Sequence, residues 1–336
     1  MSNRDSRNLI WDVFRGVAAI MVLLHHYTKR YDLLFGHVKP WTIRSSFDLG
    51  SWGVCVFFVL TGFFLLPSLL SSPDLGTYYK KRIIRLYPSY IPCVVLTWLL
   101  MMCTPPLGTR NVGLVAFLGN LTMFQSFLGF PNVDGAYWTL AVQLIIYITV
   151  GVLFFLLKKD IGKLLSFMFA WLLVGCCVWL LNNRLGITKL SFITDAKYIQ
   201  LFIQGLLLYC IGAKHGKPIF LYPFLLLSVC YDLFWFPFSY FVFNLFLVLA
   251  MLVIQLRKLN LKRKGLFVFL GSISFPLYLL HQNIGYLIIR FMENNGLTNE
   301  FWIIIPTMLI IGLAWIVASF IEKPISRGIK RILIKQ

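Results

Sequence analysis

The sequence predicts an all-α, polytopic membrane protein with ten transmembrane helices and both termini in the cytoplasm. Composition is the first observation behind this class: 59% of the 336 residues are hydrophobic and only 13% are charged, which is too apolar for a soluble domain. The second observation is that the apolar residues are gathered in runs of about 20, the length of a membrane-spanning helix. The third is the distribution of lysine and arginine between these runs.

Ten apolar runs are long enough, or nearly long enough, to cross a bilayer. In chain order they cover residues 9–27, 52–70, 86–103, 138–157, 164–181, 199–213, 219–235, 238–256, 266–289 and 301–320. A further apolar stretch, 112–130, is interrupted by Gly113, Gly119, Asn120 and Gln125. These interruptions predict a re-entrant or interfacial segment instead of an eleventh span.

The loops between the runs alternate in positive charge. About two thirds of the 31 lysines and arginines fall in loops that share a side with the N-terminus, and cytoplasmic loops carry such an excess. The pattern favours ten spans with both termini inside, because an odd number would break the alternation. The net charge of +19 then reflects topology and contact with anionic membrane lipids, and it gives little support to nucleic-acid binding.

The rest of the composition does not indicate a second domain. We expect residues 1–336 to form one integral-membrane domain without an appended extracytoplasmic domain. The seven cysteines show no metal-type spacing, so no metal site is predicted.

Three ionisable residues, Asp12, Arg15 and His26, lie in the first apolar run, where charge is costly. At 100° per residue, Arg15 and His26 lie within roughly 20° of each other around the helix, and Asp12 lies about 60° away on the same side. His26 is ~16 Å further out than Arg15. Such a stripe is typical of a cavity or substrate path. His25 points about 100° away from His26, which favours a structural or interfacial role for His25.

A basic cluster of four residues, Lys80, Lys81, Arg82 and Arg85, lies just before Pro88 at the predicted cytoplasmic start of the third span. Arg82 and Arg85 form an i, i+3 pair, so their guanidinium groups can converge on one anion. Planar donors of this kind suit phosphate oxygens, which makes Lys81, Arg82 and Arg85 the candidate phosphate ligands. An ordinary positive anchor at the membrane surface is the alternative.

Three further candidates fall in the predicted outer half of the membrane. Trp138 and Gln143 lie near the outer end of the fourth run, and His281 reaches a depth comparable with His26 unless Pro276 kinks the ninth helix. We consider all three as substrate contacts. For Gln143 and His281, hydrogen bonding between packed helices is an equally weighted alternative.

Glu322 closes the tenth run at the predicted inner surface, where Arg15, the Arg82 and Arg85 pair, or the adjacent Lys323 could be its partner. A basic site open to the cytoplasm and a histidine deep in the membrane together favour group transfer. In such a reaction a phosphate-bearing donor binds inside, and a neutral histidine accepts the proton of a hydroxyl acceptor. A transporter or flippase for an anionic or glycan substrate is the alternative use of the same residues.

These residues resemble the motifs of the acyltransferase 3 family of integral-membrane acyltransferases. The family's first-helix pattern is an Asp, an Arg-Gly three residues later and a His eleven beyond the Arg, and Asp12, Arg15-Gly16 and His26 are similar to it. Further similar blocks, in the family's order, are Gly53-Val54, Phe57-Phe58-Val59-Leu60-Thr61-Gly62-Phe63, Arg82-Ile83-Ile84-Arg85, Tyr137-Trp138-Thr139-Leu140, 273–281 and Ile321-Glu322-Lys323-Pro324.

The resemblance implies a ten-helix enzyme of the bacterial inner membrane. Such an enzyme transfers an acyl group, usually acetyl from cytoplasmic acetyl-coenzyme A, to a sugar hydroxyl of a surface polysaccharide or lipid-linked glycan. We expect His26 to act as the general base, Arg15 with Glu322 or Asp12 to shape the donor channel, and the basic cluster to hold coenzyme A phosphates. Many family members have a glutamate where this chain has Gln143, so the resemblance implies no acid or base role there, although an amide can orient a substrate.

Overall fold

The computed structural model describes residues 8–39, 48–104, 112–185 and 196–333, and the regular structure in these ranges is helical. Within these ranges seven helices are long and apolar enough to cross a membrane, or eight if one bent pair is counted as a single span. The class of an all-helical membrane protein is therefore confirmed. The count of ten spans and the cytoplasmic location of both termini stay predictions.

The helices of the described ranges are, in chain order, α1 (Ile10–His25), α2 (Tyr31–Phe35), α3 (Leu49–Leu70), α4 (Leu75–Cys103), α5 (Leu114–Leu121), α6 (Trp138–Leu156), α7 (Ile161–Leu185), α8 (Ile199–Gly212), α9 (Pro218–Cys230), α10 (Asp232–Trp235), α11 (Phe238–Leu256), α12 (Leu266–Ser272), α13 (Ser274–Asn294), α14 (Ile304–Ile316) and α15 (Lys323–Leu333). Short 3₁₀ turns precede α6 and α14, and π-helical turns follow α1 and α14.

Each predicted run contains a helix, but the first, sixth and ninth runs do not form one of the seven long helices. The first run is divided between α1, of 16 residues, and a π-helical turn, His26–Arg30. The sixth run is α8, which has 14 residues, and the ninth is divided between α12 and α13. The stretch 112–130 contains α5, whose eight residues are too few to cross a bilayer.

The ninth run is broken at Ile273, where α12 and α13 meet at 80°. The sequence pointed to Pro276 as a kink, but Pro276 lies in the first turn of α13, where a proline needs no hydrogen-bond partner for a backbone N–H. The Ser274 hydroxyl donates to the Gly271 carbonyl at 2.9 Å and so satisfies one carbonyl at the end of α12. His281 therefore lies two turns into a helix that begins within the apolar run.

The chain divides into two compact units. The central unit contains Asn8 and the described residues of Val54–Tyr79 and Val142–Lys262, and the terminal unit contains those of Leu9–Gly53, Lys80–Ala141 and Arg263–Gln336. Every predicted site residue except Gln143 belongs to the terminal unit. The prediction of one functional domain over the whole chain stays a prediction.

A buried polar network lies in the core of the central unit. Asp232 is fully buried and accepts hydrogen bonds from the side-chain amides of Gln200, at 2.9 Å, and Asn244. The Asn244 amide also donates to Gln204 Oε1 at 3.0 Å, and Cys55 Sγ lies 3.4 Å from Asn244 Oδ1. These amides donate the hydrogen bonds that a buried carboxylate needs and that lipid cannot supply. The network links α3, α8, α10 and α11.

Close backbone contact between α1 and α12 organises the terminal unit. A side chain at Gly16 would meet the Phe267 carbonyl, and a side chain at Gly271 would meet the backbone of Asp12. Backbone atoms cannot rotate away, so only glycine lets the two helices approach this closely. Because Gly16 follows Arg15 directly, this contact fixes the part of α1 from which the charged side chains project.

Candidate functional site

The two charged residues of the first helix pair with each other. Arg15 Nη1 lies 3.0 Å from Asp12 Oδ1, and the two side chains are 17% and 3% exposed. Their i, i+3 spacing places both on one side of the helix. The sequence left both Asp12 and Glu322 open as partners of Arg15, and the structure pairs Arg15 with Asp12. Pairing of this kind offsets part of the cost of charge in an apolar environment.

His26 lies where α1 changes into the π-helical turn His26–Arg30. Its Nδ1 is 2.8 Å from the Val22 carbonyl oxygen and 3.3 Å from His281 Nε2. The two imidazole rings have centroids 4.7 Å apart and are nearly perpendicular, at 84°. The structure thus brings together two histidines that are 255 residues apart in sequence and that we had placed at comparable depth in the membrane.

His25 has a different polar neighbour from that of His26, although the two rings are in contact, with centroids 5.4 Å apart. Its Nδ1 lies 3.3 Å from Asp48 Oδ1, and the Ser51 hydroxyl donates to Asp48 Oδ2 at 2.6 Å. Although partial burial acts to raise it, the hydrogen bonds from Ser51 and the neighbouring His25 leave the pKa of Asp48 below its usual value. Of the two adjacent histidines, His26 therefore faces His281 and His25 faces an acidic residue.

The turn of α13 that carries His281 contacts the beginning of α6. The Tyr137 hydroxyl donates to the Leu279 carbonyl at 3.1 Å, and Thr139 Oγ1 lies 3.0 Å from the Tyr278 hydroxyl. His281 itself is 1% exposed, and its Nδ1 lies 2.7 Å from the Tyr278 carbonyl oxygen. Both ring nitrogens of His281 therefore have a defined neighbour.

Asp134 also fixes this turn, although no sequence pattern pointed to it. This fully buried carboxylate accepts a hydrogen bond from the Ala136 N–H at 2.8 Å on one oxygen and from the Asn283 N–H at 2.8 Å on the other. The Asn283 side-chain amide donates to the Val133 carbonyl, also at 2.8 Å. A single side chain thus caps the short 3₁₀ turn before α6 and connects it to α13.

The basic cluster lies near the start of α4, where Arg85 is exposed and Lys81 and Arg82 are partly exposed. Ser89, one turn beyond Arg85, donates from Oγ to Glu322 Oε2 at 2.6 Å. Residues i, i+3 and i+7 share one face of a helix, so the two arginines and Ser89 form a row with Glu322 at its end. The sequence offered only basic partners for Glu322, and the structure gives it a serine of the arginine-bearing helix.

Glu322 ends the second π-helical turn, Val317–Glu322. Both π-helical turns of the described ranges therefore have a predicted site residue at one end. Such turns are rare and often occur at functional sites, because one extra residue redirects the side chains around it. The following helix, α15, contacts the arginine turn through Ser326 Oγ, which lies 3.3 Å from the Ile84 carbonyl oxygen. It exposes four basic residues, Lys323, Arg327, Lys330 and Arg331.

Trp138 and Gln143 have different surroundings. Trp138 is the partly buried first residue of α6, between two residues that contact α13. Gln143 is partly buried and belongs to the central unit. The substrate roles of both residues stay predictions.

A second buried histidine cluster was missed in the sequence. His37 Nδ1 lies 2.8 Å from Glu293 Oε1, and the two side chains are 1% and 4% exposed. The Tyr31 hydroxyl donates to Glu293 Oε2 at 2.9 Å, and His37 Nε2 lies 3.2 Å from the Tyr27 carbonyl oxygen. The cluster ties the segment after α1 to the end of α13. Because His37 and Glu293 are 256 residues apart, no local spacing connects them.

Comparison with known proteins identifies the class of this membrane protein. The sequence profile of the acyltransferase 3 family, described as an acyltransferase domain, matches residues 8–321. The chain therefore belongs to this family, and the resemblance seen in its motifs is confirmed.

Three curated relatives match parts of the chain. An O-acetyl transferase of Shigella phage Sf6 is 28% identical over 155 residues, which are 42% of this chain and 44% of the relative. Acyltransferase MdmB of Streptomyces mycarofaciens is 26% identical over 153 residues, 43% and 38% of the two chains. Nodulation protein 10 of Rhizobium leguminosarum bv. viciae is 23% identical over 150 residues, 36% and 40%. The chain thus spans less than half the length of each relative. No solved structure matches it.

Proposed function

We propose that this protein is an O-acetyltransferase of the bacterial cytoplasmic membrane. It transfers an acetyl group from cytoplasmic acetyl-coenzyme A to a sugar hydroxyl of a surface polysaccharide, such as O-antigen, or of a lipid-linked glycan. The observation that carries the proposal is the environment of His26, a partly buried residue just after the first helix with Nδ1 held 2.8 Å from the Val22 carbonyl oxygen. Family membership and a relative named O-acetyl transferase support the choice of reaction.

In this reaction His26 acts as the general base. The acceptor hydroxyl attacks the thioester carbonyl, and a carbon–oxygen bond forms as the carbon–sulfur bond breaks. His26 accepts the hydroxyl proton and returns it to the departing thiolate, so the products are one ester and one free thiol. A positioned base of this kind contributes about 10²- to 10⁴-fold to the rate.

The donor side of the reaction uses the basic cluster. Convergent guanidinium groups bind phosphate oxygens through paired hydrogen bonds. Arg82 and Arg85 have the exposure and the spacing to bind the phosphates of coenzyme A in this way, and Lys81 lies beside them. The hydrogen bond between Ser89 and Glu322, at 2.6 Å, fixes the far end of the same row. Glu322 therefore acts by orienting this face of α4.

The remaining site residues have supporting roles in the proposal. Arg15, held by Asp12 at 3.0 Å, presents a fixed positive charge beside the path of the acyl group. Such a charge can stabilise the oxyanion that develops on the thioester carbonyl. Trp138 is the proposed contact of the sugar acceptor, as an aromatic surface. For Gln143, whose amide can orient a hydroxyl, the substrate role stays a separate prediction.

The test compares cells that contain the wild-type protein with cells that contain His26→Ala or the control His25→Ala. We expect the mass of the surface polysaccharide repeat to rise by one acetyl group with the wild type and the control, and to stay unchanged with His26→Ala. Immunoblots of membranes should show equal insertion of all three proteins. Normal acetylation by His26→Ala would contradict the assignment of the base. Movement of a glycan by purified protein without consumption of acetyl-coenzyme A would contradict the enzyme and favour a transporter.

A further inference from the structure

The position of the proton on His281 follows from its surroundings. His281 Nδ1 lies 2.7 Å from the Tyr278 carbonyl oxygen, and a carbonyl oxygen only accepts hydrogen bonds. Nδ1 therefore carries a proton. In neutral His281 the other ring nitrogen, Nε2, then presents a lone pair, and Nε2 is the atom that faces His26.

The same reasoning gives the position of the proton on His26. His26 Nδ1 lies 2.8 Å from the Val22 carbonyl oxygen and 3.3 Å from His281 Nε2, and both of these atoms are acceptors. A lone pair on His26 Nδ1 would face two other lone pairs, whereas a proton there is shared between them. With the rings at 84°, the contact joins ring nitrogens and not stacked faces.

We propose that His281 is a positioning residue for His26. Together with the Val22 carbonyl, it holds His26 as the tautomer with its proton on Nδ1, so that the lone pair of Nε2 receives the proton of the acceptor hydroxyl. His26 then carries a positive charge, which the lone pair of His281 stabilises through the shared proton on Nδ1. In the catalytic triad of serine hydrolases, an aspartate orients the histidine and stabilises its charge in the same way. This inference rests on the proposed role of His26 as the base.

An uncharged orienting group suits the place where these residues lie. A carboxylate in the position of His281 would add a further ionised group to an apolar interior, where such groups are costly. A neutral imidazole accepts the same hydrogen bond without that cost, and it stabilises the protonated His26 less strongly than an anion would. We therefore expect a smaller effect from removing His281 than from removing His26.

A side chain that orients another must itself be held, and two contacts bracket His281 in α13. Two residues before it, the Leu279 carbonyl accepts a hydrogen bond from the Tyr137 hydroxyl at 3.1 Å. Two residues after it, the Asn283 N–H donates to Asp134 at 2.8 Å. The turn that carries His281 is thus fixed on both sides by the segment that begins α6.

Two substitutions separate positioning from simple packing. His281→Gln keeps a side-chain oxygen that can accept a hydrogen bond near the place of Nε2, whereas His281→Leu keeps apolar volume without an acceptor. His25→Gln is the matched control on the neighbouring histidine. ¹⁵N NMR spectra of histidine-labelled, purified full-length protein report which nitrogen of His26 carries the proton. Initial rates with acetyl-coenzyme A and the glycan acceptor give kcat and KM.

We expect the His26 proton on Nδ1 in the wild type, in His281→Gln and in the His25→Gln control, and a mixture of tautomers in His281→Leu. In His281→Leu kcat should fall by about 10- to 100-fold, the usual cost of losing an orienting partner, with KM for acetyl-coenzyme A unchanged. His281→Gln should recover most of kcat, and the control should keep all of it.

A wild-type spectrum with the His26 proton on Nε2 would overturn the inference. So would His281→Leu protein with the kcat of the wild type, or equal losses in His281→Gln and His281→Leu with the tautomer unchanged in both. The spectrum is recorded without substrates. A wild-type protein that has the proton on Nδ1 but transfers no acetyl group would therefore refute the proposed function and leave the positioning of His26 supported.

Discussion

A charged side chain in an apolar helix is tolerated when a side chain of opposite charge lies close enough to pair with it. Arg15 and Asp12 meet this condition within one turn of α1, at 3.0 Å. Removing both charges of a buried pair is often nearly neutral for stability, whereas removing one leaves the other buried without compensation. The pair therefore explains how a cation that we assign to the acyl path is held in the membrane.

This argument predicts the effect of Asp12→Asn. We expect the substitution to lower the free energy of unfolding by about 3 kcal/mol, because the Arg15 charge loses the Asp12 carboxylate. The double substitution of Asp12→Leu with Arg15→Met removes both charges and should recover most of this loss. Thermal unfolding of the purified protein in detergent measures both changes.

A surface pair with the same spacing is the control for this prediction. Lys163 Nζ lies 3.9 Å from Asp160 Oδ2, and the side chains are 67% and 46% exposed. Asp160→Asn should change stability by less than about 1 kcal/mol, because water screens exposed pairs. Equal shifts in the unfolding midpoint for Asp12→Asn and Asp160→Asn would contradict a stabilising role of the intramembrane pair.

The sequence predicts contacts at this scale only where the two residues share a helix or a depth. Helical periodicity alone was enough to place Asp12 and Arg15 on one side of α1. The comparable depth of His26 and His281 also required the order of the spans, whereas their contact was seen only in the structure. The hydrogen bond from Ser89 to Glu322 joins segments 233 residues apart and depends on how the helices pack, which no spacing in the sequence encodes.

Glycine allows the close crossing of α1 and α12. A side chain at Gly271 would overlap backbone atoms of Asp12, and one at Gly16 would overlap the Phe267 carbonyl. The Arg-Gly pair of the first helix thus has two separate functions. The arginine supplies a charge, and Gly16 lets α12 approach the turn of α1 from which that charge projects.

This crossing predicts the effect of Gly271→Ala. The new methyl group would force α1 and α12 apart, and we expect a loss of about 1 to 3 kcal/mol of stability together with at least a tenfold loss of acetyl transfer. Gly312→Ala is the matched control, since a side chain there meets no atom within 4 Å. In that helix, alanine should be neutral or stabilising by up to about 1 kcal/mol. Unfolding midpoints and initial rates of the two variants provide the comparison, and full activity of Gly271→Ala would refute the role of the crossing.

Hydropathy located the helices but not their internal irregularities. Hydropathy does not show the break at Ile273 within the apolar run 266–289, although Ser272 and Ser274 flank it and Pro276 lies in the first turn of α13, where a proline fits. The π-helical turns that begin at His26 and end at Glu322 have no sequence signature either. Each is one extra residue in a helical turn, and its cost is offset by the tertiary contacts made around it.

At the scale of the whole molecule, the number of spans depends on whether α8 crosses the membrane. Its 14 residues reach about 21 Å, which is less than the ~30 Å of a bilayer core. However, α8 is buried along nearly its whole length and contributes Gln200 and Gln204 to the polar network of the central unit. A helix enclosed by protein needs no lipid-facing length to match the bilayer. We therefore expect α8 to cross the membrane as one of ten spans.

Single cysteines placed on either side of α7 and α8 test this expectation. In the ten-span topology, Asp160 and Lys214 are both cytoplasmic, because α7 leads out and α8 leads back. Cysteines at these two positions, in a protein without its seven native cysteines, should be protected from a membrane-impermeant maleimide in intact spheroplasts and should react after lysis. A cysteine at the exposed Asn295, on the predicted outer side, should react before lysis. Labelling at position 214 in intact spheroplasts, with position 160 protected, would show that α8 does not cross and would reduce the number of spans.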